Sequence, residues 1–360
     1  MRVVDGAGRG VASVIAMKLC VTGAPGWLGS RLAEVLAEGF GDPNAPTLPA
    51  IQSLTLLVQP GLEPPAARPA HTRVVYGDIR DVRAVEKAVE GADVVLHLAA
   101  IIHPTWRGID ELMAINTGGT RNLLEAAIQA GAKRFVLMSS NSVAGTSTGL
   151  GRPFREDDGV APYMAYGRSK AAAEDLVNAA VAAGRIEGVC LRGCWYYGPH
   201  QAGRQSRFFG MIAKGNPVMF GQGGNLRSLT YVDHLTHALM LAATVPEANG
   251  RTYWIADNQP YRTIDIYNAI ADALGVPRPT PRKLPAVVSR VCAVADGVLQ
   301  RAGVYWTEVH VAGEMAEDIA CTTERARDEL GYEPWVSLDE GMRRSVAWAR
   351  AQGQTFSREG

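Results

Sequence analysis

Tyr166 and Lys170 stand one helical turn apart in the alanine-rich stretch "APYMAYGRSKAAAE" (residues 161–174). At i and i+4 a helix brings both side chains to one face. A free tyrosine titrates near ~10, too high for a base at neutral pH, and an adjacent ammonium favours its phenolate. A solvated helix can carry the same pair by accident, so its surroundings must give it meaning. Upstream, "VTGAPGWLGSRL" sets Gly23, Gly26 and Gly29 between an apolar run and a helical pattern. The first glycine permits a tight turn, the second lets backbone approach a pyrophosphate, and the third allows close helix–strand packing. The helix start that follows offers N–H donors and a positive dipole end. In "MSSNSVAG", Ser139, Ser140 and Ser142 crowd the end of another apolar run. Hydroxyls there either cap a turn or orient a reacting oxygen.

These groups need a scaffold, and the chain supplies an alternating one. Short apolar runs "KLCVT", "SLTLLV", "TRVVYG", "ADVVLHL", "RFVLMS" and "GVCLR" are separated by amphipathic segments such as "WLGSRLAEVLAEG" and "VRAVEKAVEG". Such alternation predicts an α/β fold, a Rossmann-type doubly wound parallel sheet covered on both faces. Beyond Arg192 the pattern turns mainly helical, which predicts a smaller substrate lobe. The expected division is an N-terminal extension over 1–16, a dinucleotide domain over 17–190 and a substrate lobe over 191–350. Segments near 229–260 are expected to return to the sheet, and 351–360 to form a tail. A ligand cleft is expected outside the carboxyl ends of the strands. "LPAVVSRVCAVADGVLQRAG" (284–303) reads as an amphipathic packing helix, with an interfacial membrane helix as the alternative.

Composition narrows the class. Lys+Arg and Asp+Glu balance at 36 each, which argues against nucleic-acid binding by bulk charge. The five cysteines, Cys20, Cys190, Cys194, Cys292 and Cys321, have no paired or metal-type spacing. A reduced cytoplasmic protein without a metal is the expectation. No apolar segment is long enough to span a membrane. The start, "MRVVDGAGRGVASVIAMKLCVTG", faintly imitates a secretory signal, but its apolar run is short and Lys18 interrupts it. A disordered tail, or a start at Met17, is expected there.

The spacing G-x-x-G-x-x-G and the ordered pieces after it resemble the extended short-chain dehydrogenase/reductases, which include the NAD-dependent epimerases and dehydratases. The likeness runs from Met17 to about residue 350 through "GDIRD", "HLAA", "INTGGT", "MSSNSVAG", "YGRSK", "LRGCWYYGP", "LTYVDHL" and "ELGYEP". It implies an NAD(P)-dependent oxidoreductase, with a small-molecule substrate and a homodimeric assembly. Cofactor contacts would come from Gly23, Gly26, Trp27, Leu28 and Gly29, from Asp78 and Ile79, and from Leu98, Ala99 and Ala100. Asn116, Ser139, Tyr166 and Lys170 complete that set. Aligning "VAG" with the family's V-x-G places Ser140 in the catalytic slot beside Tyr166 and Lys170. Tyr166 would carry the proton, Lys170 would hold the nicotinamide ribose and the phenolate, and Ser140 would orient the reacting oxygen.

Cofactor choice falls to Gln59 at the end of "LLVQPG", which can bond either ribose form; NAD is weakly favoured. Arg31 and Arg80 are the arginines that could reach a 2′-phosphate. Two substrate readings remain. The layout of "YGPHQAGRQSRFFGMIAKGNPVMFGQGGNLRSLTYVDHL" resembles nucleotide-sugar epimerases, with Arg227, Arg204 and Arg207 as diphosphate donors. Against this, Ala144, Gly193 and Trp195 depart from the sugar pattern. "VAG" and an aromatic at 195 resemble 3β-hydroxysteroid dehydrogenases and dihydroflavonol reductases. The nucleotide sugar is preferred, with the apolar alcohol or ketone as alternative and an inactive nucleotide sensor as a remote third. Asn141 and Ser142 stand where 4,6-dehydratases place an Asp-Glu pair, so that reaction is disfavoured.

Overall fold

The structure is a computed structural model; it describes residues 16–103, 109–162, 164–215 and 217–356. The expected N-terminal extension, apart from residue 16, therefore lies outside the described residues, as does Tyr163.

The first half runs β1 (Met17–Thr22), α1 (Trp27–Glu38), β2 (Ile51–Val58), β3 (Thr72–Tyr76), α2 (Val82–Val89) and β4 (Val94–His97). It continues through α3 (Ile109–Leu112), a π-helical turn (Met113–Gly118), α4 (Gly119–Gln129), β5 (Arg134–Ser140), α5 (Ala165–Ala182) and β6 (Glu187–Gly193). Then come β7 (Trp195–Tyr197), α6 (Gly203–Ala213), β8 (Val218–Phe220), β9 (Leu226–Arg227), β10 (Leu229–Tyr231), α7 (Val232–Thr244) and β11 (Arg251–Ile255). The C-terminal part holds β12 (Tyr261–Arg262), α8 (Thr263–Leu274), β13 (Arg282–Leu284), α9 (Ala286–Arg301), α10 (Thr307–Glu314), α11 (Glu324–Leu330) and α12 (Leu338–Ala351).

Seven strands form one parallel sheet in the order β11-β6-β5-β4-β1-β2-β3. This is the doubly wound arrangement the alternation predicts. Strand alternation divides the core between two faces. Leu19, Val21, Val94, Leu96, Val136 and Met138 pack on the face covered by α1 and α7. Cys20, Val95, Phe135 and Leu137 pack on the opposite face, under α2, α4 and α5. A separate core joins α6, α8 and α12 around Phe209, Tyr231, Tyr267 and Met342. Phe356, in the expected tail, rests edge-on against Phe209 in that core.

Two pairings are made by residues far apart in the chain. Arg31 of α1 grips Asp233 of α7 through two hydrogen bonds, 2.6 and 3.0 Å, and both residues are buried. Cys194 and Cys321, both buried free thiols, bring their sulfurs to 3.4 Å, a proximity their spacing does not announce.

Helix α9 reverses the expected packing. Its buried residues are polar, Ser289, Asp296 and Gln300, while Val287, Val291, Val294 and Val298 are each about 60–70% exposed. The reason is a set of hydrogen bonds. Ser289 Oγ donates to the α10 carbonyls of Ala312 and Gly313. Asp296 accepts from Gln300 and bonds His310, and Gln300 accepts from the Ala165 N–H. Turning the valines inward would strand all of these groups.

Candidate active site

The crevice forms where β1 and β4, neighbours in the sheet, send their chains to opposite faces. Gly23, at the end of β1, has φ +77°, and a Cβ there would lie 2.7 Å from the Ala99 backbone nitrogen. A Cβ on Gly29 would lie 2.4 Å from the Gly23 carbonyl oxygen. Neither position admits a side chain, so β1, the β4 turn and the start of α1 meet backbone to backbone. Trp27 and Leu28 open α1, whose N-cap Gly26 leaves the first N–H groups without a side-chain partner. This turn fits a pyrophosphate.

At the adenosine end, Gln59 is exposed just past β2. Asp78 folds back on Arg80, accepting its backbone N–H at 2.8 Å and its guanidinium at 2.6 Å. That hydrogen-bonded guanidinium holds the Asp78 carboxyl below its usual range. Ile79 is buried against Gly119, where a Cβ would meet it at 2.6 Å. Both arginines considered for a 2′-phosphate are already held by acids: Arg80 by Asp78, and Arg31 by Asp233 and Glu34.

A relay of hydrogen bonds, which the sequence reading did not foresee, braces the crevice. The Ala99 N–H donates to Thr22 Oγ1, and Thr22 Oγ1 lies 2.8 Å from His97 Nδ1. His97 Nε2 lies 2.9 Å from Thr120 Oγ1, which donates to the Asn116 carbonyl. Burial, with a smaller effect from the Lys170 charge, lowers the His97 pKa to about 3. The ring is therefore neutral at working pH. With Thr120 donating onward to Asn116, the network assigns the His97 proton to Nε2. Asn116 sits within the π-helical turn. Its amide accepts from the Ile101 N–H and donates to the Ile101 carbonyl and to Ser169 Oγ, tying the β4 loop to α5. Leu98 and Ala99 are half-buried and Ala100 is exposed along this loop.

The proposed catalytic residues come from two elements pressed together. Ser140 ends β5, and its Oγ accepts the Ser142 N–H at 3.2 Å. The same oxygen lies 3.3 Å from Asn141 Oδ1 and from Ser142 Oγ. Ser139 Oγ is buried with no hydrogen-bond partner among the described residues. Helix α5 abuts this serine turn at Gly167, where a Cβ would come within 2.2 Å of the Ser142 carbonyl oxygen. Tyr166, beside it, is half-buried in the first turn of α5. Lys170 is 1% exposed, and burial lowers its pKa to about 8, against the opposing pull of Glu174 and Cys190. Glu174 itself is paired with Arg192 of β6, at 3.0 and 2.7 Å, and the Arg192 guanidinium lies over Trp254.

The substrate candidates fall in different settings. Asn141 and Ser142 are half-buried beside Ser140. Trp195, in β7, leans on Phe208, which meets Tyr267 edge-on. Arg207 is exposed on α6; Arg204 begins the same helix. Arg227 is half-buried, and its guanidinium donates to the Glu314 carbonyl at the end of α10. Two further long-range contacts meet at the site. The Trp27 indole N–H donates to the Pro199 carbonyl. Gln300 of α9 accepts the N–H of Ala165, the residue before Tyr166. Both are long-range, and only the unusual buried polar face of α9 could have hinted at the second.

Comparison with known proteins identifies relatives of the whole chain. Residues 19–256 match the model of the NAD dependent epimerase/dehydratase family. An uncharacterized protein, y4nL, of Sinorhizobium fredii is 39% identical over 93% of this chain and 96% of its own length. A 2-alkyl-3-oxoalkanoate reductase of Stenotrophomonas maltophilia is 30% identical, over 93% of this chain and all of its own. The solved structure of MoeE5 in complex with UDP-glucose and NAD is 26% identical, with a TM-score of 0.70 over 94% of this chain and 99% of the other. The chain belongs to the NAD-dependent epimerase/dehydratase family and is an NAD(P)-dependent enzyme of the extended short-chain dehydrogenase/reductase type.

Proposed function

We propose that this enzyme transfers hydride at a secondary alcohol or ketone of an apolar substrate, with NAD as its cofactor. The observation that carries the reading is the aromatic pair Trp195 and Phe208, and the setting of Arg227 accompanies it. The arginine expected to bind a diphosphate instead donates to the Glu314 carbonyl. That bond occupies one of the guanidinium's five N–H donors and ties Arg227 to the end of α10. Trp195 and Phe208 give the region an aromatic wall suited to a flat or long apolar body. The likeness to a 2-alkyl-3-oxoalkanoate reductase supports the same chemistry. This reverses the order of preference drawn from sequence, where the nucleotide sugar stood first. The sugar reading retains its own support in the exposed Arg207 and in the likeness to MoeE5 with UDP-glucose bound.

The site residues fit a dinucleotide: Gly23, Gly26 and Gly29 leave a cradle, and Ser139 offers a buried, unpartnered hydroxyl. When bound, the nicotinamide supplies or accepts the hydride. Tyr166 gives its phenol proton to the carbonyl oxygen, or takes the proton from the alcohol. Lys170, its pKa lowered to about 8 by burial, supports the phenolate while protonated and holds ribose hydroxyls. Ser140 orients the reacting oxygen from the end of a rigid strand. Asn141 and Ser142 bring no carboxylate, which supports hydride transfer without water loss. NAD is favoured because Arg31 and Arg80 are held by acids and Gln59 brings no charge. A cytoplasmic homodimer is part of the same proposal, its mass read by light scattering.

The test is turnover with NAD or NADP, followed at 340 nm, on long-chain or steroidal secondary alcohols and on UDP-glucose and UDP-galactose. Cofactor reduction by the apolar alcohols alone is expected. Epimerisation of the UDP sugars without such activity would overturn the reading. Gln59→Arg is expected to raise the NADP/NAD affinity ratio and Gln59→Asp to lower it; an unchanged ratio in both would remove Gln59 from the ribose.

A further inference from the structure

A helix that hides its polar residues and shows its apolar ones needs a second apolar phase. On α9, Val287, Val291, Val294 and Val298 follow i, i+4, i+7 and i+11 spacing and so form one stripe. Their exposures are 60%, 62%, 70% and 59%. Val304 and Trp306, just beyond the helix, are 48% and 55% exposed. The opposite face is fixed inward by the hydrogen bonds of Ser289, Asp296 and Gln300. Folding therefore holds the stripe outward.

The charge pattern selects what covers it. The exposed charges of α9, Arg290 and Arg301, are both cationic and flank the stripe, and Arg282 and Lys283 are exposed immediately before the helix. The one acid of α9, Asp296, is wholly buried. We propose that α9 docks this protein on an anionic lipid bilayer. The valine stripe and Trp306 enter the headgroup boundary, and Arg290 and Arg301 meet lipid phosphates. No helix among the described residues is long and apolar enough to cross a membrane, so α9 lies in the interface. A second copy of the chain suits this face less well, since pairing α9 with itself would bring cationic side chains together without acids between them. The placement has a consequence for the site. The last turn of α9 holds the start of α5 through Gln300 and Ala165, so the docked helix adjoins the Tyr166 end of the crevice through the face opposite the membrane.

The experiment is sedimentation of the full chain with phosphatidylcholine vesicles, with and without phosphatidylglycerol, at low and high salt. Binding to the anionic vesicles is expected. It should weaken on the order of thirtyfold in Arg290→Gln/Arg301→Gln, and in high salt. Val291→Glu/Val294→Glu should reduce binding to background while circular dichroism and melting stay unchanged, because both positions face solvent. Failure of the wild type to bind, or binding that survives the valine substitutions, overturns the proposal. So does a valine variant that converts a dimer to a monomer, which would assign the stripe to a second copy. Vesicle binding is read without turnover, and turnover of a water-soluble substrate should persist in the valine variant. Failure here therefore leaves the apolar-substrate reading standing, and failure of that reading leaves this one.

Discussion

Helices α1 and α9 both carry an apolar stripe, and the protein uses the two in opposite directions. In α1, Leu28, Leu32 and Val35 are buried against the sheet, and the helix start is pressed onto β1 through Gly29. In α9 the valines face outward, while Ser289, Asp296 and Gln300 face α10 and the start of α5. An apolar period identifies a stripe but not its direction. The direction is decided by where the buried polar groups find partners, since an unpaired buried polar group costs more than an exposed valine.

Helix α5 lies between these two regimes, resting on the sheet along its body and tied to α9 at its first residue. The largest effect is expected there. Tyr166→Phe removes one hydroxyl and little volume, so melting and cofactor affinity should be retained. Turnover should fall about 10²–10⁴-fold. Should Tyr166→Phe keep near-wild-type turnover, the serine turn and α5 do not form the reacting centre.

The comparison can be broken by direct measurement of stability. Leu32→Ala, at a residue 1% exposed, should cost about 2–5 kcal/mol. Ser289→Ala removes the acceptor of the Ala316 N–H and two possible donor contacts, and should cost about 1–3 kcal/mol. Val294→Ala, at 70% exposure, should stay within about 0.5 kcal/mol. Urea titration of the three variants checks the order. A Val294→Ala as costly as Leu32→Ala would mean the valine stripe is covered within the folded chain.

The same contrast explains what could be read from sequence. Six of the seven sheet strands and the glycine turn were legible, because strand alternation and a G-x-x-G-x-x-G turn are local signals, and β11 falls in the segment expected to return to the sheet. The series from "GDIRD" to "ELGYEP" named the family. The fates of charged residues were not legible. Arg31 looked like a surface arginine that could meet a phosphate until Asp233, 202 positions away, buried it. Arg227 bonds the Glu314 carbonyl 87 positions away, and Cys194 met Cys321 across 127 positions. Asp296 made α9 look solvated on the face that is buried. Long-range polar partners leave no periodic trace, so burial of a charge has to be seen in the fold.

The most localised effect concerns pH. Lys170 is fully buried, and its pKa falls from 10.5 to about 8 through loss of hydration. In the unfolded chain it titrates near ~10.4. Below about 8 both states carry the proton, and the cost of burying the charge is present in full. Between about 8 and 10 the unfolded chain holds more protons than the folded one, so the contribution of this group to stability rises with pH. Buried acids act in the opposite sense: Cys20, raised to about 12, and Tyr267, also raised to about 12, ionise first in the unfolded chain and lower stability as pH climbs. Total stability therefore masks Lys170, and the measurement must be a difference. Wild type minus Lys170→Met, by urea titration without cofactor, should grow by about 2 kcal/mol from pH 8 to pH 10. The buried acids are common to both proteins and cancel. A difference that stays flat would mean that the folded protein keeps Lys170 hydrated or ion-paired. The ammonium would then lack the lowered pKa on which its proposed part beside Tyr166 rests.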